Sequence, residues 1–170
     1  IFAVGDSVML ASVPELSVAF PDIWIDAAVS RGMGVGVGII EELSARGELR
    51  PVLVVGLGTN GPVDQDDLDA LLQVADGRGI VLVTAFADRW WVPEVNQQPR
   101  EFADANRGVT LAVWAAAIPL VPGGLAGDDI HPNPSGGEAY AATVRVALDA
   151  LLEKNEQPLP AKGQKAQQHR

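Results

Sequence analysis

No cysteine occurs in the 170 residues. Its absence excludes thiolate nucleophiles, zinc–thiolate sites and disulfides, and leaves the redox compartment open. Positive charge is also scarce: 12 Lys and Arg stand against 22 Asp and Glu, for a formal net charge of −10. Electrostatic capture by nucleic acid or by an anionic membrane surface is therefore not expected, while neutral polymers and small esters remain open as ligands. No apolar run approaches the roughly 20 residues of a membrane span. No leader pattern is visible, because Ile1, Phe2, Ala3, Val4 and Gly5 read as a first strand already under way. That opening is expected of a segment belonging to something longer. Histidine is limited to His131 and His169, which narrows the choice of an imidazole base to almost nothing.

What is present is an alternation of strands and helices. Hydrophobic residues make up 48% of a chain long enough for one well-filled domain. Strands are predicted at Ile1–Gly5, Asp22–Ala27, Pro51–Gly56, Gly79–Ala85 and Val109–Val113. The third and fourth are continuously apolar, as strands buried on both faces of a parallel sheet should be. Helices are predicted at Ser7–Phe20, Val35–Arg46, Asp64–Asp76, Glu94–Asn106 and Gly137–Leu152, with Pro99 expected to break or delay the fourth. The pattern predicts a three-layer α/β/α sandwich with a five-stranded parallel sheet, whose site should lie at the carboxyl ends of the strands. A domain over residues 1–154 and a polar C-terminal tail over residues 155–170 complete the expected organisation.

Three segments carry candidate chemistry. His169 lies in the expected tail, so His131 is the credible base. Asp128 stands three residues before it, and a carboxylate at that spacing can reach the Nδ1 side of the ring and fix its tautomer. Taken alone, the same residues also describe a polar surface loop ahead of a helix. Ser7 falls where the first strand gives way to the first helix, a place for a nucleophile supported by helix-start amides and equally for an N-cap. Asp6 could cap the same turn. The run from Gly56 to Pro62 follows the third strand, and Asn60 within it offers an amide donor for an oxyanion, or simply shapes a Gly/Asn turn. Joined on one parallel sheet, the three segments would meet at one edge.

Gly5-Asp6-Ser7, Gly58-Thr59-Asn60 and Asp128 with His131 resemble blocks I, III and V of the SGNH (GDSL-like) hydrolases. Gly5 to Leu10, Asp26 to Arg31, Leu57 to Gly61, and Trp91 with Val95-Asn96 further resemble the extracytoplasmic domain of peptidoglycan O-acetyltransferases, over about Ile1 to Leu152. The resemblance implies a flavodoxin-like sandwich in which Ser7, His131 and Asp128 form the catalytic triad. The backbone N–H groups of Ser7 and Arg31 and the side chain of Asn60 would form the oxyanion hole. It implies acyl transfer from a donor ester through an acyl-serine to a hydroxyl, with a cell-envelope glycan as acceptor, on the extracytoplasmic face of the membrane. A membrane-embedded acyltransferase domain of the same longer chain is the expected partner, and no cofactor or metal is expected. Asn96 would order a loop near the substrate, while Trp90 and Trp91 would divide between core packing and a stacking face for a sugar. The chain departs from the family pattern at Gly32 after Arg31, at Val113 before Trp114, and at Asp129 after Asp128. An SGNH carbohydrate or lipid esterase, with water as acceptor, shares the first half of this chemistry. A glycan-binding module on an inactive scaffold is the third reading, against which the retained Ser7, His131 and Asp128 argue.

Overall fold

A computed structural model describes residues 1–156. Five strands, β1 (Phe2–Gly5), β2 (Trp24–Ala27), β3 (Val52–Gly56), β4 (Gly79–Val83) and β5 (Val109–Ala112), form one sheet in the order β2-β1-β3-β4-β5. Every pairing is parallel. The helices are α1 (Ser7–Ala11), α2 (Val13–Ala19), α3 (Met33–Ala45), α4 (Gln65–Ala75), α5 (Val92–Ala105), α6 (Trp114–Ala117) and α7 (Pro134–Glu156). The chain is thus the expected α/β/α sandwich.

Strand alternation distributes the core between two layers. Phe2, Val4, Leu53, Val55, Ile80 and Leu82 face α3, α4 and α5. Ala3, Val54, Val81, Val83 and Ala112 face the opposite layer, where Met9, Leu16, Trp114, Tyr140, Val144 and Leu151 pack. Trp114 and Tyr140 meet edge to face at 5.3 Å, an arrangement aromatic quadrupoles favour.

Several local expectations change. The helix predicted over Ser7–Phe20 is two helices, with the break at Ser12. Pro14 cannot donate to the fourth residue before it and its ring would collide with that carbonyl, so a new helix begins instead with proline in its first turn. Pro99, in contrast, sits inside an uninterrupted α5. Its ring is buried, and Val92, Val95, Phe102 and Ala103 of the same helix are all in the core, so tertiary packing outweighs the missing hydrogen bond. A short helix, α6, and a 3-10 turn at Ile118–Leu120 follow β5 where none was predicted. The last helix runs to Glu156 and takes in the first two residues of the expected tail. Residues 157–170, the remainder of that tail with His169, lie outside the described residues.

Candidate active site

The carboxyl end of β1 runs straight into α1, and Asp6 is the residue between them. Asp6 is buried and its Oδ1 accepts the Val8 N–H at 2.9 Å, capping the helix. Its Oδ2 accepts the Thr59 N–H at 3.3 Å. One carboxylate therefore ties the turn that carries Ser7 to the loop that carries Asn60. Burial pushes the Asp6 carboxyl up from its ordinary value, and hydrogen bonds from the Val8 and Thr59 amides partly offset that effect.

Ser7 is the first residue of α1, where backbone N–H groups have no intrahelical acceptor. Its Oγ lies 2.8 Å from His131 Nε2. The other ring nitrogen, Nδ1, is 2.6 Å from Asp128 Oδ2. Asp128 Oδ1 also accepts the N–H groups of Ile130 and His131, each at 3.0 Å. The hydrogen bond from the His131 ring, followed by those from the two amides, holds the Asp128 carboxyl well below the usual carboxylate range. It is an ionised acceptor at any pH near neutrality. With Nδ1–H donating to Asp128, Nε2 is left with a lone pair facing the serine hydroxyl.

The loop presenting His131 is braced from both sides. Ala126 donates to the His131 carbonyl at 2.8 Å, and Leu125 and Pro132 form an isolated bridge. Asn133 Oδ1 then accepts the N–H groups of Ser135 and Gly136, at 3.1 and 3.2 Å, to cap α7. Its Nδ2 donates to the Gly123 carbonyl at 2.5 Å. Gly136 admits the close approach this requires, because a Cβ there would fall 2.1 Å from the Gly124 carbonyl oxygen.

The remaining predicted residues divide. Asn60 Nδ2 is 3.3 Å from the Arg31 carbonyl, so the two oxyanion candidates stand side by side. The Arg31 side chain turns away from the reacting groups: its guanidinium binds the Asp26 carboxylate at 2.7 Å and the carbonyls of Asp26 and Gly5 at 2.5 and 3.3 Å. It braces the second block against the end of β1. Asn96 has its whole amide engaged by Ala85, accepting from its N–H and donating to its carbonyl, both at 2.8 Å. It orders the loop after β4, and its engaged amide is not offered to a substrate. The two tryptophans meet edge to face at 5.6 Å. Trp91 lines the cleft and packs on the core, whereas Trp90 is 79% exposed and stands outside the lining.

The cleft has a volume of about 290 Å³ and its walls include Ser7, Ser30, Thr59, Asn60, Arg89 and His131. Sequence reasoning missed Ser30, which adopts a left-handed backbone at φ +60°; a serine motif gives no sign of that. It missed Arg89 because nothing in the local sequence shows that the loop after β4 reaches the cleft. The bracing Asn133 did leave a signal, since Asn133-Pro134-Ser135 has the form of a capped helix start.

Three comparisons bear on this geometry. No protein-family model matches. The peptidoglycan O-acetyltransferase OatA of Listeria monocytogenes is 32% identical over 147 residues, which are 86% of this chain and 24% of the relative. The solved C-terminal catalytic domain of peptidoglycan O-acetyltransferase A from Streptococcus pneumoniae, bearing a methylsulfonyl adduct, superposes with a TM-score of 0.82 at 26% identity. That match covers 89% of this chain and 93% of the domain. The chain has the fold of the SGNH hydrolases. A psychrotrophic esterase, EstA from Pseudoalteromonas, shares the fold with a TM-score of 0.70 at 15% identity, over 89% of this chain and 97% of that one. The chain spans about a quarter of the length of the curated relatives it matches. Among its described residues no helix is long and apolar enough to cross a membrane.

Proposed function

We propose that this SGNH domain is the acyl-transfer part of a larger O-acetyltransferase, and that Ser7, His131 and Asp128 are its catalytic triad. The observation that carries the reading is the pair of distances around His131, 2.8 Å to Ser7 Oγ and 2.6 Å to Asp128 Oδ2. The relatives named as O-acetyltransferases support the choice of an acetyl group and of a cell-wall glycan as acceptor.

The chemistry runs in two halves. His131 Nε2 takes the Ser7 hydroxyl proton as Oγ bonds to the carbonyl carbon of the donor ester. The charge that develops on the carbonyl oxygen is met by the Ser7 and Arg31 backbone N–H groups and by Asn60 Nδ2. The adduct collapses by breaking the bond to the donor alcohol, which leaves with the proton from His131. An acetyl-Ser7 remains. An acceptor hydroxyl then gives its proton to His131 and bonds to the acetyl carbon, and the Ser7 oxygen leaves with that proton. Asp128 holds the tautomer and offsets the imidazolium charge in both halves without taking the proton itself.

The domain would extend over residues 1–154, with 155–170 as the tail behind it. The rest of the longer chain would include a membrane-embedded acyltransferase part that hands acyl groups to this domain on the extracytoplasmic face. The extra length of the relatives supports that arrangement.

The test is labelling with a sulfonyl fluoride followed by peptide mapping, together with product partitioning. Stoichiometric modification of Ser7 is expected, and loss of acetyl-ester cleavage in Ser7→Ala. Addition of a glycan oligomer should divert acetyl groups from free acetate to the sugar. Modification elsewhere, or full activity of Ser7→Ala, would overturn the triad. Acetate as the sole product at every glycan concentration would make the domain an esterase.

A further inference from the structure

Ser7, Asn60 and Arg31 lie on three separate segments, and each segment is tied to the next. The turn carrying Ser7 is joined to the loop carrying Asn60 by the Thr59 N–H, which donates to the Asp6 carboxylate at 3.3 Å. That loop is joined to the second block by Asn60 Nδ2, which donates to the Arg31 carbonyl at 3.3 Å. The third side of the triangle is the Arg31 side chain. Its Nη1 donates to the Asp26 carbonyl at 2.5 Å and to the Gly5 carbonyl, just ahead of the serine turn, at 3.3 Å. Its Nη2 donates to Asp26 Oδ1 at 2.7 Å. The side chain is only 10% exposed. A planar fork with donors in fixed directions suits such a set of acceptors, and no other cation has that shape.

The segment that this side chain closes needs holding. It leaves β2, which is an edge strand. The Ala28 N–H donates to the Gly5 carbonyl at 3.1 Å, and two residues later Ser30 turns through the left-handed region at φ +60°. A residue with a Cβ is disfavoured there and stays only where its surroundings impose the conformation. Val29 and Ser30 both line the cleft beside Ser7, so any relaxation of the turn is felt at the reacting groups. The backbone tie at Ala28 precedes the left-handed residue, and the guanidinium follows it. The side chain is therefore what fastens the far end of the turn to the end of β1.

We infer that the Arg31 side chain is a positioning residue for acyl transfer: its guanidinium locks the left-handed turn at Ser30 and so sets where the second block presents its backbone N–H to the developing oxyanion. The inference rests on the reading of Ser7 as nucleophile. The guanidinium itself touches neither substrate nor nucleophile. Oxyanion donors act only when they are aimed at the place where charge develops. A turn that drifts therefore weakens the transition state and leaves substrate binding almost untouched, which lowers kcat and not affinity. The fold should outlast the loss of this side chain. The Gly5 carbonyl keeps the Ala28 N–H, and the Asp26 side chain is 42% exposed, so its carboxylate turns to water.

Arg31→Met in the 170-residue chain tests this, with turnover of a small acetyl ester as the readout. Its kcat should fall about tenfold or more while KM stays within about twofold, short of the roughly hundredfold cost of deleting a donor outright. Guanidinium ion, added far below the concentrations that unfold the protein, should restore part of the lost kcat. Methylammonium should not, because a point charge cannot serve a carboxylate and two carbonyls in fixed directions. Arg31→Lys should for the same reason stay closer to Arg31→Met than to the parent, and it carries the same kcat–KM reading if Arg31→Met fails to fold. Arg46→Met, which removes an exposed arginine paired with Glu48, should keep the parent rate with and without guanidinium. The ring N–H resonance of His131, bonded to Asp128 on another loop, should be unchanged in Arg31→Met. Parent kcat in Arg31→Met, a loss borne by KM, or no recovery with guanidinium would overturn the inference and leave the triad standing. Disappearance of the His131 resonance together with the rate would mean general loosening of the site and overturn it as well. Turnover retained in Ser7→Ala would instead remove the triad reading, and the inference with it.

Discussion

Asp6 and Thr59 are 53 residues apart in sequence, and a single hydrogen bond from the Thr59 N–H to the buried Asp6 carboxylate joins them. The bond sets the distance between the serine turn and the loop that holds Asn60. In Asp6→Asn, the amide oxygen can still accept from Val8, but the NH₂ group then opposes the Thr59 N–H. Turnover of an acetyl ester should fall about tenfold or more with a smaller change in KM, because losing an oxyanion donor outright costs about a hundredfold. An unchanged kcat would show that the bond only caps α1.

The same carboxyl governs a pH dependence of stability. Its folded-state pKa is raised, with burial the largest cause. Between the ordinary carboxylate range and that raised value, the folded protein binds more protons than the unfolded chain. This contribution therefore weakens as pH rises through that window. Denaturation of wild type and Asp6→Asn from about pH 4 to 8 should give curves whose difference moves against wild type as pH increases. Parallel curves would refute it.

Asp128 and Asp129 should behave very differently. Asp128 accepts from the His131 ring and from two backbone amides, whereas Asp129 is exposed and left-handed at φ +58°. Asp128→Asn should lose up to about ten-thousandfold in turnover, as in triads that lose their orienting carboxylate. Asp129→Gly should keep most activity and relieve about 1 kcal/mol of backbone strain. Turnover and melting of the two variants decide it, and a damaged Asp129 variant beside an active Asp128→Asn would reverse the assignment.

Asn60→Ala removes an amide now 3.3 Å from the Arg31 carbonyl. The fold should survive, since Asn60 is exposed, while kcat should drop by about a hundredfold or more. Wild-type rates in a protein of unaltered circular dichroism would leave Asn60 as a turn residue.

Gly136→Ala should act at a distance from the chemistry. The added methyl would meet the Gly124 carbonyl, a backbone atom that cannot swing aside, and would force apart the loop that braces His131. A loss of about 1–3 kcal/mol in stability is expected, with a drop in kcat larger than in Asp129→Gly. Equal stability and rate to wild type would mean the loop yields freely.

Much of this was legible before any coordinates. Leu53 to Val55 and Ile80 to Leu82 are buried on both faces and so read as continuous apolar runs, which gave the parallel sheet. Helix ends were harder, because Pro14 and Pro99 have the same local chemistry and opposite outcomes: one starts a helix, the other is carried within one by the core around it. In the site, Gly5-Asp6-Ser7, Asn60 and the Asp128–His131 spacing announced themselves, since their roles depend on residue type and local spacing. The left-handed Ser30 and the cleft-lining Arg89 did not. Their meaning depends on which loop tips the strand order β2-β1-β3-β4-β5 brings together, and no local pattern encodes that.

The loop from Asp128 to His131 carries its own geometry, because the carboxylate holds both the ring and the amide of the same histidine. Tertiary folding has then only one long-range adjustment to make, the meeting of that loop with Ser7 across 124 residues of sequence. The loop is the lead-in to α7, which docks against β4, β5 and α2. A molecule with its sheet complete and α7 undocked would keep an intact acid–base unit and still be inert. Catalytic rate is therefore a gauge of how firmly α7 is seated, and it should respond to loosening of that helix before any spectroscopic measure of the sheet does.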